Sequence, residues 1–217
     1  MKILEVVPLA LPEVKVVRFA RFADARGYFT EVFRKSDFFG HPRMGFLEGA
    51  EFLQVNESLS QPGVVRGLHF QWGPPMGKLV RTVRGRMVDL FMDIRKGSPS
   101  FGKIAAHDMP SDPGRSYGEW IWVPPGFAHG NFFTEPTAIE YFCTGEYGPG
   151  REAGISPLAG AIDWSLCDPK LRRLFDEVSA RAVMSDKDRG GLTVAAWSSD
   201  PRSEQFVYAP GVPGGIP

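Results

Sequence analysis

The sequence has little of what most readily announces a function. Its two cysteines, Cys143 and Cys167, are too few for a disulfide scaffold or a four-ligand zinc site, so both thiols are expected to be structural. Net charge is absent: 25 lysines and arginines balance 25 aspartates and glutamates. That excludes the broad basic surface by which proteins gather nucleic acid or anionic membranes, and any cationic site must be local. No apolar run nears the ~18 residues of a membrane span. The opening MKILEVVPLALPEVKVV carries acids and prolines where a secretion signal needs an unbroken apolar stretch. The expectation is a soluble, cytoplasmic protein with no nucleic-acid or membrane partner.

What is present is turn formers and β formers. The chain holds 25 glycines and 19 prolines, with 43% hydrophobic and 12% aromatic residues. This composition supplies a packed core and leaves little room for long helices. Short β-branched and aromatic runs at 14–19, 28–33, 51–60, 64–71, 78–83, 86–94, 103–109, 120–123, 129–133 and 138–144 are each bounded by turn residues, the pattern of an all-β sandwich or barrel. In 86–94, Val88, Leu90, Met92 and Ile94 share one face, and Met87, Asp89, Phe91 and Asp93 the other. In 51–60, Gln54, Asn56 and Ser58 form a polar row whose opposite face, Leu53, Val55 and Leu59, is expected to be core. Asp168 and Pro169 read as cap and first turn of a helix over 169–178, and a helical turn is expected at 35–38. One domain is expected over 1–197, followed by a Pro/Gly-rich tail over 198–217 that is disordered or lies as an extended arm on a neighbour.

Chemistry is concentrated in Gly63-Val-Val-Arg-Gly-Leu-His69-Phe-Gln71, with Lys78 and Gly85 beyond, and in Pro124-Pro-Gly126-Phe-Ala-His129. The spacings resemble the two motifs of cupin barrels. A metal cupin needs several imidazoles and a carboxylate around one ion, but Gln71 and Lys78 stand where a histidine and the acid would be. An ammonium at that point repels a divalent metal and suits an anion such as an enolate. Arg66 and His69 differ in strand parity, so both reach one cavity only if the strand bulges or turns at Gly67.

An ordered series extends these motifs: Asp24-Ala-Arg-Gly-Tyr-Phe-Thr-Glu31, Phe52-Leu-Gln-Val-Asn56, Arg66 to Gln71, Gly77-Lys-Leu-Val80, Gly126 to His129, Tyr141, Tyr147-Gly-Pro, Glu152-Ala-Gly-Ile155 and Ser185-Asp-Lys-Asp188. The chain thereby resembles the dTDP-4-dehydrorhamnose 3,5-epimerase family and related deoxysugar epimerases. The resemblance implies an all-β, cupin-like jelly-roll barrel with a few short helices, no cofactor, no metal ligands and a homodimer acting on a dTDP-linked 4-keto-6-deoxy sugar. It implies His69 as the base, Asp188 as its carboxylate partner, Lys78 at the enolate oxygen and Tyr141 as the opposing acid. For Asp188, Asp186 and Asp89 are the alternatives. It assigns Arg26, Phe29 and Glu31 to the nucleotide, reached from a neighbouring subunit, and Gln54, Asn56, Arg66 and Lys187 to phosphates, sugar and base. Tyr147 would stack on the base, His129 would line the sugar pocket and Glu152 would bind a polar edge. The chain departs from the pattern at Asn131, where an aromatic residue is usual, and in a longer stretch between Trp164 and Lys187.

The function so implied is inversion at C3, C5 or both through an enolate. The alternatives are a 3-monoepimerase and a sugar-nucleotide-binding cupin without catalysis, with a metal-dependent cupin oxygenase behind them.

Overall fold

The computed structural model describes residues 1–211. Among these described residues thirteen strands form: β1 Ile3–Pro8, β2 Lys15–Ala20, β3 Phe22–Asp24, β4 Gly27–Phe29, β5 Gln54–Ser60, β6 Val65–Gln71, β7 Lys78–Arg84, β8 Arg86–Asp93, β9 Ile104–Pro110, β10 Tyr117–Val123, β11 Phe127–Phe133, β12 Thr137–Cys143 and β13 Glu152–Gly154. They build a six-stranded sheet in the order β1-β2-β10-β7-β12-β5, a five-stranded sheet β13-β6-β11-β8-β9, and a separate β3-β4 hairpin. The pairings within these sheets are antiparallel. The two large sheets face each other as a jelly roll and share no hydrogen-bonded strand pair, so the barrel is a sandwich rather than a closed cylinder.

Alternating side chains create three apolar layers. Val80, Phe91, Ile121 and Phe133 pack between the sheets. On the outside of the five-stranded sheet, Val88, Leu90 and Phe132 meet Phe175 of α2 (Pro169–Ser179) and Trp197 of α4 (Val194–Ser199). On the outside of the six-stranded sheet, Trp120 and Leu79 meet Phe38 of α1 (Lys35–Gly40). From Met87 onward strand β8 is therefore apolar on both faces except where Asp89 and Asp93 point inward. Each fully buried side chain of this size contributes about 1.5–3 kcal/mol. The helix expected from Asp168 is present, with the carboxylate accepting from the Lys170 amide.

Three expectations change. The outer face of β5 is not core: Val55 and Leu59 are 53% and 58% exposed. Parity separates two faces but does not say what covers them, and β5 is an edge strand. The strand expected over 28–33 is shortened to β4, and Ile3–Pro8 adds an edge strand whose mixed pattern gave no alternation. The segment after 197 does not leave the domain. Its expected boundary falls inside α4, the following 3₁₀ turn Pro201–Gln205 carries Phe206 back onto the sheet at 1% exposure, and Phe206 sits 5.9 Å from the ring of Trp197. An apolar anchor at Phe206 overrides the local Pro/Gly signal. The remainder of the expected tail, 212–217, lies outside the described residues.

Candidate active site

The site lies between the sheets, and each sheet supplies one wall. From the five-stranded sheet come His69 and Arg66 on β6 and His129 on β11. From the six-stranded sheet come Lys78 on β7, Tyr141 on β12 and Gln54 and Asn56 on β5. An inner cavity of about 130 Å³ and an outer one of about 190 Å³ share His69, Lys78 and Tyr141 in their walls.

The bulge at Gly67 exists. His129 pairs with His69 but Asn131 pairs with Arg66, so Gly67 and Leu68 of β6 together oppose Gly130 of β11. Gly67 has φ +103°, and a Cβ there would stand 2.6 Å from Gly130 Cα. The bulge brings Arg66 and His69 into the wall of one cavity despite their parity. Arg66 is braced by its Nε donating to Ser60 Oγ at 2.9 Å.

His69 Nε2 lies 2.6 Å from Asp188 Oδ1, and the other carboxylate oxygen accepts from the Gly67 amide at 3.2 Å. Asp188 belongs to the one-turn helix α3 (Asp186–Arg189), capped by Ser185 Oγ. Burial works against the Asp188 carboxylate, but the hydrogen bond and charge of His69, the Gly67 amide and Ser185 together hold it below its ordinary range. With Asp188 ionised, Nε2 carries the proton and Nδ1 is the basic nitrogen. Asp89, the alternative partner, is paired instead with His129, Oδ1 to Nε2 at 2.7 Å. This second buried pair was not expected; the inward face of β8 was legible, but not the strand that Asp89 would meet.

On the facing wall, burial pushes the Lys78 ammonium below its ordinary value, only partly opposed by Cys143, Asp89 and Glu152. Burial, with the nearby Cys143, raises the Tyr141 phenol, against Arg66 and a hydrogen bond with Asn56. Cys143, expected to be purely structural, lines the outer cavity and receives Asn56 Nδ2 at 3.8 Å. Ser58 and Met76 also line the cavities without having been singled out as site residues.

The outer mouth is a polar mesh. Gln54 donates to Asn56 at 2.9 Å and accepts from the Tyr147 amide at 2.8 Å. Tyr147 donates to Glu152 Oε1 at 2.7 Å, and Lys187 donates to the same oxygen. Burial disfavours the Glu152 charge, yet these two donors hold its carboxyl below the ordinary value. Tyr147 is exposed and Gln71 is tied to Glu146 O and the Gly148 amide. Arg26, Phe29 and Glu31 are not brought to this cavity. Arg26 sits on the β3-β4 hairpin paired with Asp24, and Phe29 is exposed. Glu31 is held by Arg34 and the Met1 amino group, which lower its carboxyl to about 2.

Two oriented histidines on one wall and an ammonium and a phenol on the other, inside a jelly roll, define a cupin-like acid–base site. Among the described residues no three His, Cys, Asp or Glu side chains converge as a metal-binding group. The family model for dTDP-4-dehydrorhamnose 3,5-epimerase matches residues 8–196. The chain is 42% identical over 187 residues to dTDP-4-dehydrorhamnose 3,5-epimerase of Sinorhizobium fredii, covering 83% of this chain and 84% of the relative. The Escherichia coli protein of that name is 35% identical over 184 residues, covering 79% and 94%. Among solved structures, the dTDP-6-deoxy-D-glucose-3,5-epimerase of Legionella pneumophila in complex with dTDP-4-keto-L-rhamnose matches with TM-score 0.75 and 30% identity over 94% of this chain and 97% of that one. A 3'-monoepimerase of Streptomyces bikiniensis in complex with dTDP-quinovose matches with TM-score 0.67 and 25% identity over 90% and 88%. The chain belongs to the dTDP-4-dehydrorhamnose 3,5-epimerase family.

Proposed function

We propose that this protein is a nucleotide-sugar epimerase that inverts C3, C5 or both of a dTDP-linked 4-keto-6-deoxyhexose. The observation that carries the reading is a carboxylate-paired histidine facing a phenol and an unpaired ammonium across one cavity. His69 removes the proton beside the C4 ketone; that C–H electron pair becomes the enolate, with its charge on the C4 oxygen. Lys78 stabilises that oxygen electrostatically in a water-poor cleft, where a fixed charge acts more strongly than in bulk water. Tyr141 delivers a proton to the opposite face of the ring, and configuration inverts. The walls belong to different sheets, which supports base and acid approaching from opposite sides.

Gln54, Asn56, Arg66, Tyr147, Glu152 and Lys187 bind the nucleotide and sugar, and His129, held by Asp89, lines the sugar pocket. Arg26, Phe29 and Glu31 serve a neighbouring subunit's nucleotide in a homodimer. This is supported by the exposed Phe22, Tyr28 and Phe29 of the hairpin and by the uncovered apolar face of β5. A reducing, cytoplasmic setting suits the two free buried thiols.

The test is incubation with dTDP-4-keto-6-deoxyglucose in deuterated water, read by NMR. Deuterium at C3 and C5 is expected. Label at C3 alone makes the protein a 3-monoepimerase, the second reading, whose support is the similarity to the Streptomyces bikiniensis protein. No label at either carbon contradicts epimerase activity.

A further inference from the structure

The polar groups of the outer mouth are paired with one another, and at the inner end His69, His129 and Arg66 are paired as well, but two acceptor atoms there are not. Asn131 Oδ1 and Asp89 Oδ2 are buried and have no hydrogen-bond partner. The two residues are directly opposed on β11 and β8, so their side chains share the interior face. Asn131 is 4% exposed and stands in the wall of the inner cavity with His69 and Tyr141. A buried acceptor without a donor is costly, and asparagine is also a poor strand former. Its cross-strand neighbour on the other side, Arg66, is turned to Ser60 Oγ and Leu59 O.

A buried, unsatisfied acceptor in a cavity wall, with a carboxylate on the opposed residue behind it, calls for a neutral donor. An anion would be repelled, and an apolar group would leave the Asn131 acceptor unsatisfied. A 4-keto-6-deoxyhexose carries such donors as its hydroxyls at C2, next to a reacting centre, and at C3, on one. We infer that Asn131, backed by Asp89, is a specificity residue that reads a ring hydroxyl of the sugar, so that the enzyme discriminates against substrates lacking it. The inference rests on the epimerase reading and extends it to the sugar's substitution pattern.

The experiment compares dTDP-4-keto-6-deoxyglucose with its 2-deoxy and 3-deoxy analogues, as ligands by calorimetry and as substrates by deuterium exchange. It uses the full chain and Asn131→Leu, which keeps the size of the side chain but removes its polar atoms. The native protein is expected to lose about tenfold or more in affinity or kcat/KM for one deoxy analogue. In Asn131→Leu that ratio should shrink to less than about threefold, with affinity for dTDP itself unchanged. An equal ratio in both proteins, or no discrimination by the native one, overturns the inference. Absence of exchange with all three sugars would contradict the epimerase reading instead, and the calorimetric ratios would still decide the role of Asn131. Asn131→Val, with a side chain suited to strands, repeats the comparison if the leucine variant does not bind dTDP.

Discussion

His69 depends on a carboxylate 119 residues away in the chain. Its position was legible from the glycine spacing before it, but spacing says nothing of what a side chain meets across the fold. The family resemblance supplied Asp188; residues alone left Asp186 and Asp89 open, and the pairing of Asp89 with His129 was not legible at all. Asp188→Asn is expected to lower kcat about a hundredfold or more with a smaller change in KM, as steady-state kinetics would show. The same carboxyl links stability to pH. Because its value is lowered on folding, its contribution is complete above the ordinary carboxylate range and is lost as pH falls through the lowered value. Thermal unfolding of the native protein and Asp188→Asn should therefore differ most near neutrality and converge in acid. Lys78 works in the opposite direction: burial lets its charge go at a lower pH than an ordinary lysine's. Activity should fall on the alkaline side earlier than lysine chemistry usually dictates, and Lys78→Arg should move that limb of the kcat profile upward.

At the scale of elements, what was legible was alternation, and what was not was cover. The polar row Gln54, Asn56 and Ser58 does face the cavity, yet Leu53, Val55 and Leu59 behind it are exposed because no described element lies over that edge strand. The bulge at Gly67 was legible as a condition, since Arg66 and His69 could not otherwise share a wall. Gly67→Ala should be costly twice over. The new methyl would meet Gly130 Cα at 2.6 Å, and φ +103° disfavours any side chain. Loss of activity well beyond the loss of thermal stability is expected, because His69 and its carboxylate partner both hang on this turn. The helix α2 is ordinary by contrast, and Asp168→Ala should cost about 1 kcal/mol in denaturant unfolding without altering kcat.

The whole molecule closes its core with a segment that composition assigned to a tail. Phe206 is buried against Phe70 and Trp197, so Phe206→Ala should destabilise the protein by about 3–5 kcal/mol in chemical denaturation. A local surplus of proline and glycine hides such an anchor, because burial is decided by distant strands. Balanced net charge likewise concealed a sorted interior, with Arg66 and Lys78 on the cavity walls and their acids assigned to histidines. The claim on which the rest depends is that His69 takes a proton from the sugar. The most direct measurement is the rate of deuterium entry at C3 of dTDP-4-keto-6-deoxyglucose with the native protein and with His69→Ala, dTDP affinity being checked in both. The account predicts exchange by the native protein and a fall of about a thousandfold or more in the variant; exchange in His69→Ala within about tenfold of native would contradict it.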